Sequence, residues 1–242
     1  IYGRVSIFEL FLTSFQPLQH HLWIVTERNQ MAVIWWNTQL QQCETIATGD
    51  LQDRIGRPTD QSSRGIIDPN GSCYVLHLYD RLLKIVPADF VHESFNIRID
   101  SCIRDVQFVH SASKQANPVL AVLAAEENEM FQIRLVELSL SEKDSSDGIR
   151  VGCPAFDDSV LLLITLPAPM EAMVVIGEYQ ITCIQRTAGT KGTAGWTNPH
   201  VIDIAVDPPG IFGAYGLVDS DGSRILLGDH RGRLYVLVLE RK

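Results

Sequence analysis

Gly65 to Val86, GIIDPNGSCYVLHLYDRLLKIV, constrains this chain more than any other stretch, because it states once a strand, turn, strand, turn and strand that recur elsewhere. Pro69 presets φ, and Asn70 and Gly71 tolerate the left-handed region, so Asp68-Pro69-Asn70-Gly71 is suited to reversing the chain. Asp80-Arg81 then supplies a polar tip between runs rich in Leu, Val, Ile and Tyr. Gly216 to Ser223, GLVDSDGS, repeats the Gly, Asp, Gly and Ser of Gly65 to Ser72 about 150 positions later, three lengths of a roughly fifty-residue unit. Apolar hairpins turning near Glu27 to Gln30, Asp80-Arg81, Glu126 to Glu129, Glu178-Tyr179 and Asp229 to Gly232 fill the interval at about the same spacing. The pattern predicts an all-β chain of about five β-propeller blades in a single domain, 1–242.

Taken in order, Tyr2 to Leu12, Leu22 to Val25, Met31 to Trp36 and Glu44 to Thr48 make the first unit. Gly49 to Arg64 is polar, turn-rich and too long for a tight connection, and long polar loops between packed strands are where binding concentrates. The second unit adds Phe95 to Ile99 as its outer strand. The third has Cys102 to Val109, Val119 to Ala124, Met130 to Leu140 and Ile149 to Val151, with Ser141 to Gly148 a solvated loop. Leu120 to Met130 has high helix propensity, but its place in the repeat makes it strand, turn and strand. The fourth has Ser159 to Leu166, Met173 to Ile176 and Gln180 to Gln185, then a glycine- and threonine-rich loop from Thr187 to Asn198 and an outer strand Val201 to Val206. The fifth has Gly216 to Val218, Arg224 to Gly228 and Arg233 to Leu239. Middle strands packed on both faces should be apolar throughout, as AVIWW, VLHLY and LYVLVL are.

With 242 residues, 45% of them hydrophobic and 20% charged, the chain can bury a sizeable core. A net charge of -9 opposes direct binding to nucleic acid, which is driven by Lys and Arg displacing counterions from phosphates. Cys43, Cys73, Cys102, Cys153 and Cys183 are scattered singly with no CxxC and read as reduced core thiols. No apolar run approaches a membrane span, and Asn70-Gly71-Ser72 is turn chemistry before it is a glycosylation sequon. The chain opens without methionine directly into an apolar strand, as a piece of something longer would.

No catalytic, metal or cofactor constellation is present: GxSxG, HExxH and a Walker loop are all missing, and Gly189 to Thr193 lacks the spacing of a phosphate loop. His20-His21 and His92-Glu93 read as loop residues, and Asp157-Asp158 and Glu126-Glu127-Glu129 as solvated faces. Gln52-Asp53-Arg54-Ile55-Gly56-Arg57-Pro58 is the informative polar segment. It is either a docking surface of planar guanidinium donors around an apolar contact or a tie to a neighbouring blade.

Leu51 to Asp68, Leu78-Tyr79-Asp80, FNIR at Phe95 to Arg98, LLGD at Leu226 to Asp229 and Gly232-Arg233-Leu234 closely resemble the family of the large subunit of the damage-specific DNA-binding protein, the adaptors of cullin-4 ubiquitin ligases. A splicing-factor subunit and the large cleavage and polyadenylation factor subunit share the architecture and supply a second assignment. The resemblance implies most of the first of three seven-bladed propellers, in a protein of nucleus and cytoplasm. It implies a non-enzymatic module that receives WD-repeat substrate receptors and the small damaged-DNA-binding subunit, while the cullin scaffold is held by the absent middle propeller. It places Arg54, Arg57, Arg98 and Glu137 at the receptor interface, with Ile225 where relatives carry an aromatic anchor.

Overall fold

The computed structural model describes residues 3–13, 19–52, 59–60, 64–89, 93–110, 116–126, 130–187, 195–205 and 210–240. Among these, all regular structure is β, in five antiparallel sheets that follow one another along the chain. The sheets fall into two compact units, Ile1–Asp100 with Leu140–Asp144, and Ser101–Ser139 with Ser145–Lys242.

In the first unit β1 (Val5–Leu12), β2 (His20–Thr26), β3 (Gln30–Asn37) and β4 (Gln42–Asp50) form one sheet in chain order. A second is formed by β5 (Arg64–Ile67), β6 (Cys73–Tyr79), β7 (Leu82–Pro87) and β8 (Phe95–Arg98). Alternation along the strands sends Ile7, Phe11, Trp23, Val25 and Val33 into one core with Tyr74, Leu76 and Leu78. The Trp23 and Tyr74 rings lie 4.8 Å apart, and Phe11 meets Tyr74 edge-on at 5.0 Å. Gly65 is glycine because the sheets close over it: a Cβ there would stand 2.7 Å from Ile7 Cδ1 and from the Trp23 ring.

The second unit holds three sheets. β9 (Ile103–Phe108), β10 (Val119–Ala125), β11 (Phe131–Ser139), β12 (Asp144–Ser145) and β13 (Ile149–Arg150) form the first, with both short strands against β11. The next is β14 (Val160–Thr165), β15 (Ala172–Gly177), β16 (Gln180–Thr187) and β17 (Gly195–Asp203). The last has three strands, β18 (Phe212–Leu217), β19 (Arg224–Asp229) and β20 (Leu234–Val238). Polar clasps join β9 to β14: buried Asp105 accepts the N–H of Val106 at 2.9 Å and of Leu163 at 2.8 Å, and the Thr165 hydroxyl donates to Phe108 O at 2.6 Å. A buried carboxylate is tolerated when such donors replace its water.

β6 and β15 are buried along their whole length, and β10 almost so, as strands covered on two faces should be. β20 departs from that expectation. Tyr235 and Leu237 pack inward, but Leu234, Val236 and Val238 are exposed, because no described sheet covers their face. β17 starts at Gly195 rather than Val201, with Thr187 paired to Gly195 and Trp196 9% exposed in the core. β18 likewise starts at Phe212 rather than Gly216, and the loop expected from Ser141 to Gly148 contains the short strand β12. Leu120 to Ala125 and Phe131 onward are strands despite their helix propensity; burial on both sides overrides it.

The two repeat copies keep their turn but not their register. Gly65 pairs with Leu76, whereas Gly216 pairs with Leu226, one residue short of the equivalent Leu227. A slip of one residue reverses which face a side chain occupies, and a Cβ on Gly216 would meet nothing within 4 Å.

Candidate docking surface

Asp53, Arg54, Ile55, Gly56 and Arg57 lie outside the described residues, but the chain on either side of them is anchored. Before the segment, Leu51 N–H donates to Asn29 O at 2.8 Å and Gln52 Nε2 to Arg28 O at 3.2 Å, both on the β2–β3 turn. After it, Asp60 N–H donates to Leu78 O at 3.2 Å and its carboxylate accepts the Asp80 N–H at 2.9 Å, at the β6–β7 turn. Gln52 and Asp60 are thus held at two successive hairpin tips.

Arg98 is exposed at the end of β8, paired with Leu82 beside that same β6–β7 tip. Ile99 N–H donates to Arg81 O at 2.9 Å and closes the strand end. Arg81 occupies the left-handed region at φ 60 with Nε 3.5 Å from Asp80. Asp60, Asp80, Arg81 and Arg98 thus share one exposed tip, two carboxylates with two guanidiniums. The sequence reading took Asp80-Arg81 only as a turn; its position directly before a buried strand was the available signal. His77 lies buried just behind, and burial, then the cation of Arg64 across the β5–β6 pair, pulls its pKa down to about 4.

Glu137 and Ile225 belong to the second unit. Glu137 is exposed on β11, at the end away from the β10–β11 turn, and its carboxylate accepts Asn117 Nδ2 at 2.8 Å. Its backbone exchanges bonds with Ser146 through N–H to Oγ at 2.9 Å and C=O from N–H at 2.9 Å. Ile225 does not fit a surface contact: it is 0% exposed, in a core with Leu162, Ile164 and Leu227.

Other residues singled out from sequence also find structural roles. His21 is not a loop residue; it is buried in β2 with its ring 5.5 Å from Phe11, whereas His20 is exposed and His92 lies outside the described residues. Glu126 is not a solvated face. It is 12% exposed and takes a two-pronged bond from Arg134 Nε and Nη2 at 3.1 and 2.8 Å, plus one from Arg150. Of the five free cysteines, Cys73 and Cys183 are buried as expected but Cys43 and Cys102 are exposed; burial pushes the Cys73 thiol up to about 12, away from reactivity. Among the described residues no three His, Cys, Asp or Glu side chains gather as a metal site, and no helix is long and apolar enough to cross a membrane.

DNA damage-binding protein 1 of Solanum lycopersicum is 38% identical over 243 aligned residues, covering 99% of this chain and 21% of that protein. DNA damage-binding protein 1a of Arabidopsis thaliana is 37% identical with the same coverage, and DNA damage-binding protein 1 of Oryza sativa subsp. japonica is also 37% identical with the same coverage. The chain therefore spans about a fifth of the length of these relatives. The profile described as the RSE1/DDB1/CPSF1 first beta-propeller matches residues 1–242, end to end, and the five successive antiparallel sheets agree with a β-propeller; the chain belongs to this family of first β-propellers.

Proposed function

We infer that this propeller is a non-catalytic docking module of a cullin-4-type ubiquitin ligase adaptor, acting in the recognition and repair of damaged DNA in nucleus and cytoplasm. The observation that carries the reading is the match over nearly the whole chain to proteins named for binding damaged DNA, at 38% identity. The net charge of -9 speaks against contact with DNA by this propeller, so the link to damage runs through protein partners: WD-repeat receptors and the small damaged-DNA-binding subunit. The cullin scaffold is held elsewhere in the longer protein. The charged β6–β7 tip, with Arg98 beside the anchored ends of residues 53–58, suits such docking because guanidiniums supply directional donors at interface centres. Glu137 is the corresponding contact of the second unit.

The test is a titration of the full-length protein with a WD-repeat receptor and, separately, with cullin-4. Arg54→Glu with Arg57→Glu, and Arg98→Glu alone, should each weaken receptor binding by about tenfold or more while cullin affinity holds. Unchanged receptor affinity in both variants removes the docking assignment. The family description also spans RSE1 and CPSF1; affinity purification that returned RNA-processing subunits in place of cullin would move the protein to that branch.

A further inference from the structure

The sheet of β14 to β17 meets the sheet of β9 to β13 imperfectly. Between them lies a cavity of about 180 Å³, open to solvent and lined chiefly by Met130, Phe156, Val160, Val175, Thr182 and Val201. It forms because Phe131 and Phe156 exchange backbone bonds at 2.7 and 2.8 Å, which draws the linker from Pro154 to Ser159 across one side of the opening. Val175, Thr182 and Val201 stand side by side across β15, β16 and β17 and form the other wall. Val201, on the edge strand β17, is 52% exposed and puts an aliphatic side chain at the mouth of this part-apolar, part-polar hole, beside Ile202, which is 53% exposed on the other face of the strand. Three exposed carboxylates lie on the cavity's lining or next to lining residues. Asp157 lines the opening, Asp158 follows it, and Asp203 accepts the amide of the lining Gln180 at 3.0 Å; Glu178, half-buried, is tied to the same rim by its N–H to Ser159 O at 3.0 Å. The neighbouring cation, Arg104, is engaged with Asp158 O at 3.4 Å and lies over the Phe131 ring at 4.8 Å.

Size and charge together restrict the occupant. A hole of this volume takes one benzene-sized group, too little for a drug-sized ligand but enough for one large side chain. An acidic rim attracts cations and repels acidic segments. The geometry points to a second docking site, distinct from the β6–β7 tip: the cavity receives one Leu, Met or Phe side chain of a partner protein, from a segment with Lys or Arg on both sides of it.

The test is fluorescence anisotropy of the intact protein with a labelled peptide carrying one leucine between two pairs of lysines, beside the same peptide with serine in place of leucine. The leucine peptide should bind at least about tenfold more tightly. Val201→Arg, at an exposed position, should abolish that preference with the melting temperature unchanged, and Asp158→Lys with Asp203→Lys should weaken both peptides. Equal affinities for the two peptides, or a preference that survives Val201→Arg, overturn the proposal.

Discussion

At the scale of single residues, glycine marks where backbone has no room. Gly65→Ala drives a methyl into Ile7 and Trp23 and should cost about 1–3 kcal/mol, the usual range for overpacking. Its sequence counterpart Gly216→Ala meets nothing and should be near neutral, within about 1 kcal/mol. Urea denaturation of the two variants checks the contrast, and equal losses would refute the register difference. His77 sets an acid limit. Its folded pKa of about 4 lies below the ordinary 6.5, so between those values the unfolded chain binds the proton more readily and stability falls as pH falls. The loss should approach about 3 kcal/mol near pH 4. His77→Gln should flatten that part of the denaturation profile, and an equally steep profile in the variant would assign the acid sensitivity elsewhere. The Asp219 carboxyl is held below its ordinary range by the Arg224 guanidinium, so its contribution is present above that range and lost only in stronger acid.

At the scale of elements, local turn chemistry was the legible part. Asp68 accepts the N–H and hydroxyl of Ser72 at 3.1 and 2.6 Å, and Asp219 accepts the Ser223 hydroxyl at 3.0 Å, so one sequence rule builds both turns. Register was not legible, since the slip at Gly216 is already present where the strands leave the turn: Asp68 N–H donates to Cys73 O, but Val218 rather than Asp219 donates to Arg224 O, a difference that composition does not announce. β17 was begun late because Trp196 is a single apolar residue in a polar run, and its burial comes from partners far away in sequence. The Arg98 tip could be named but its company could not, because Asp60 reaches it only through folding. Ile225 was misplaced for a related reason: a position aligned with an aromatic anchor says nothing about which face it turns to. The Asp105 clasp was equally invisible, yet it joins two sheets. Asp105→Ala leaves the Leu163 and Val106 amides without their acceptor and should cost about 2–5 kcal/mol in denaturant titrations, with Asp105→Asn recovering part of it.

At the scale of the whole chain, exposed apolar faces outweigh any single contact. Phe8 and Leu10 on β1 are 64% and 65% exposed, and Leu234 on β20 is 70% exposed, far from the scattered apolar residues of an ordinary surface. The 242-residue chain studied alone should therefore self-associate, and Leu10→Lys with Leu234→Lys should shift its sedimentation toward monomer; an unmodified chain that stays monomeric at high concentration would contradict this.

The chain's four tryptophans divide unevenly: Trp23, Trp35 and Trp36 lie in the first unit, and Trp196 alone in the second, enclosed in its core. Replacing the first three with phenylalanine would leave one indole whose emission shifts to longer wavelength only when water reaches the second unit. The molecule thus carries its own optical gauge for asking whether its two halves melt together or in turn.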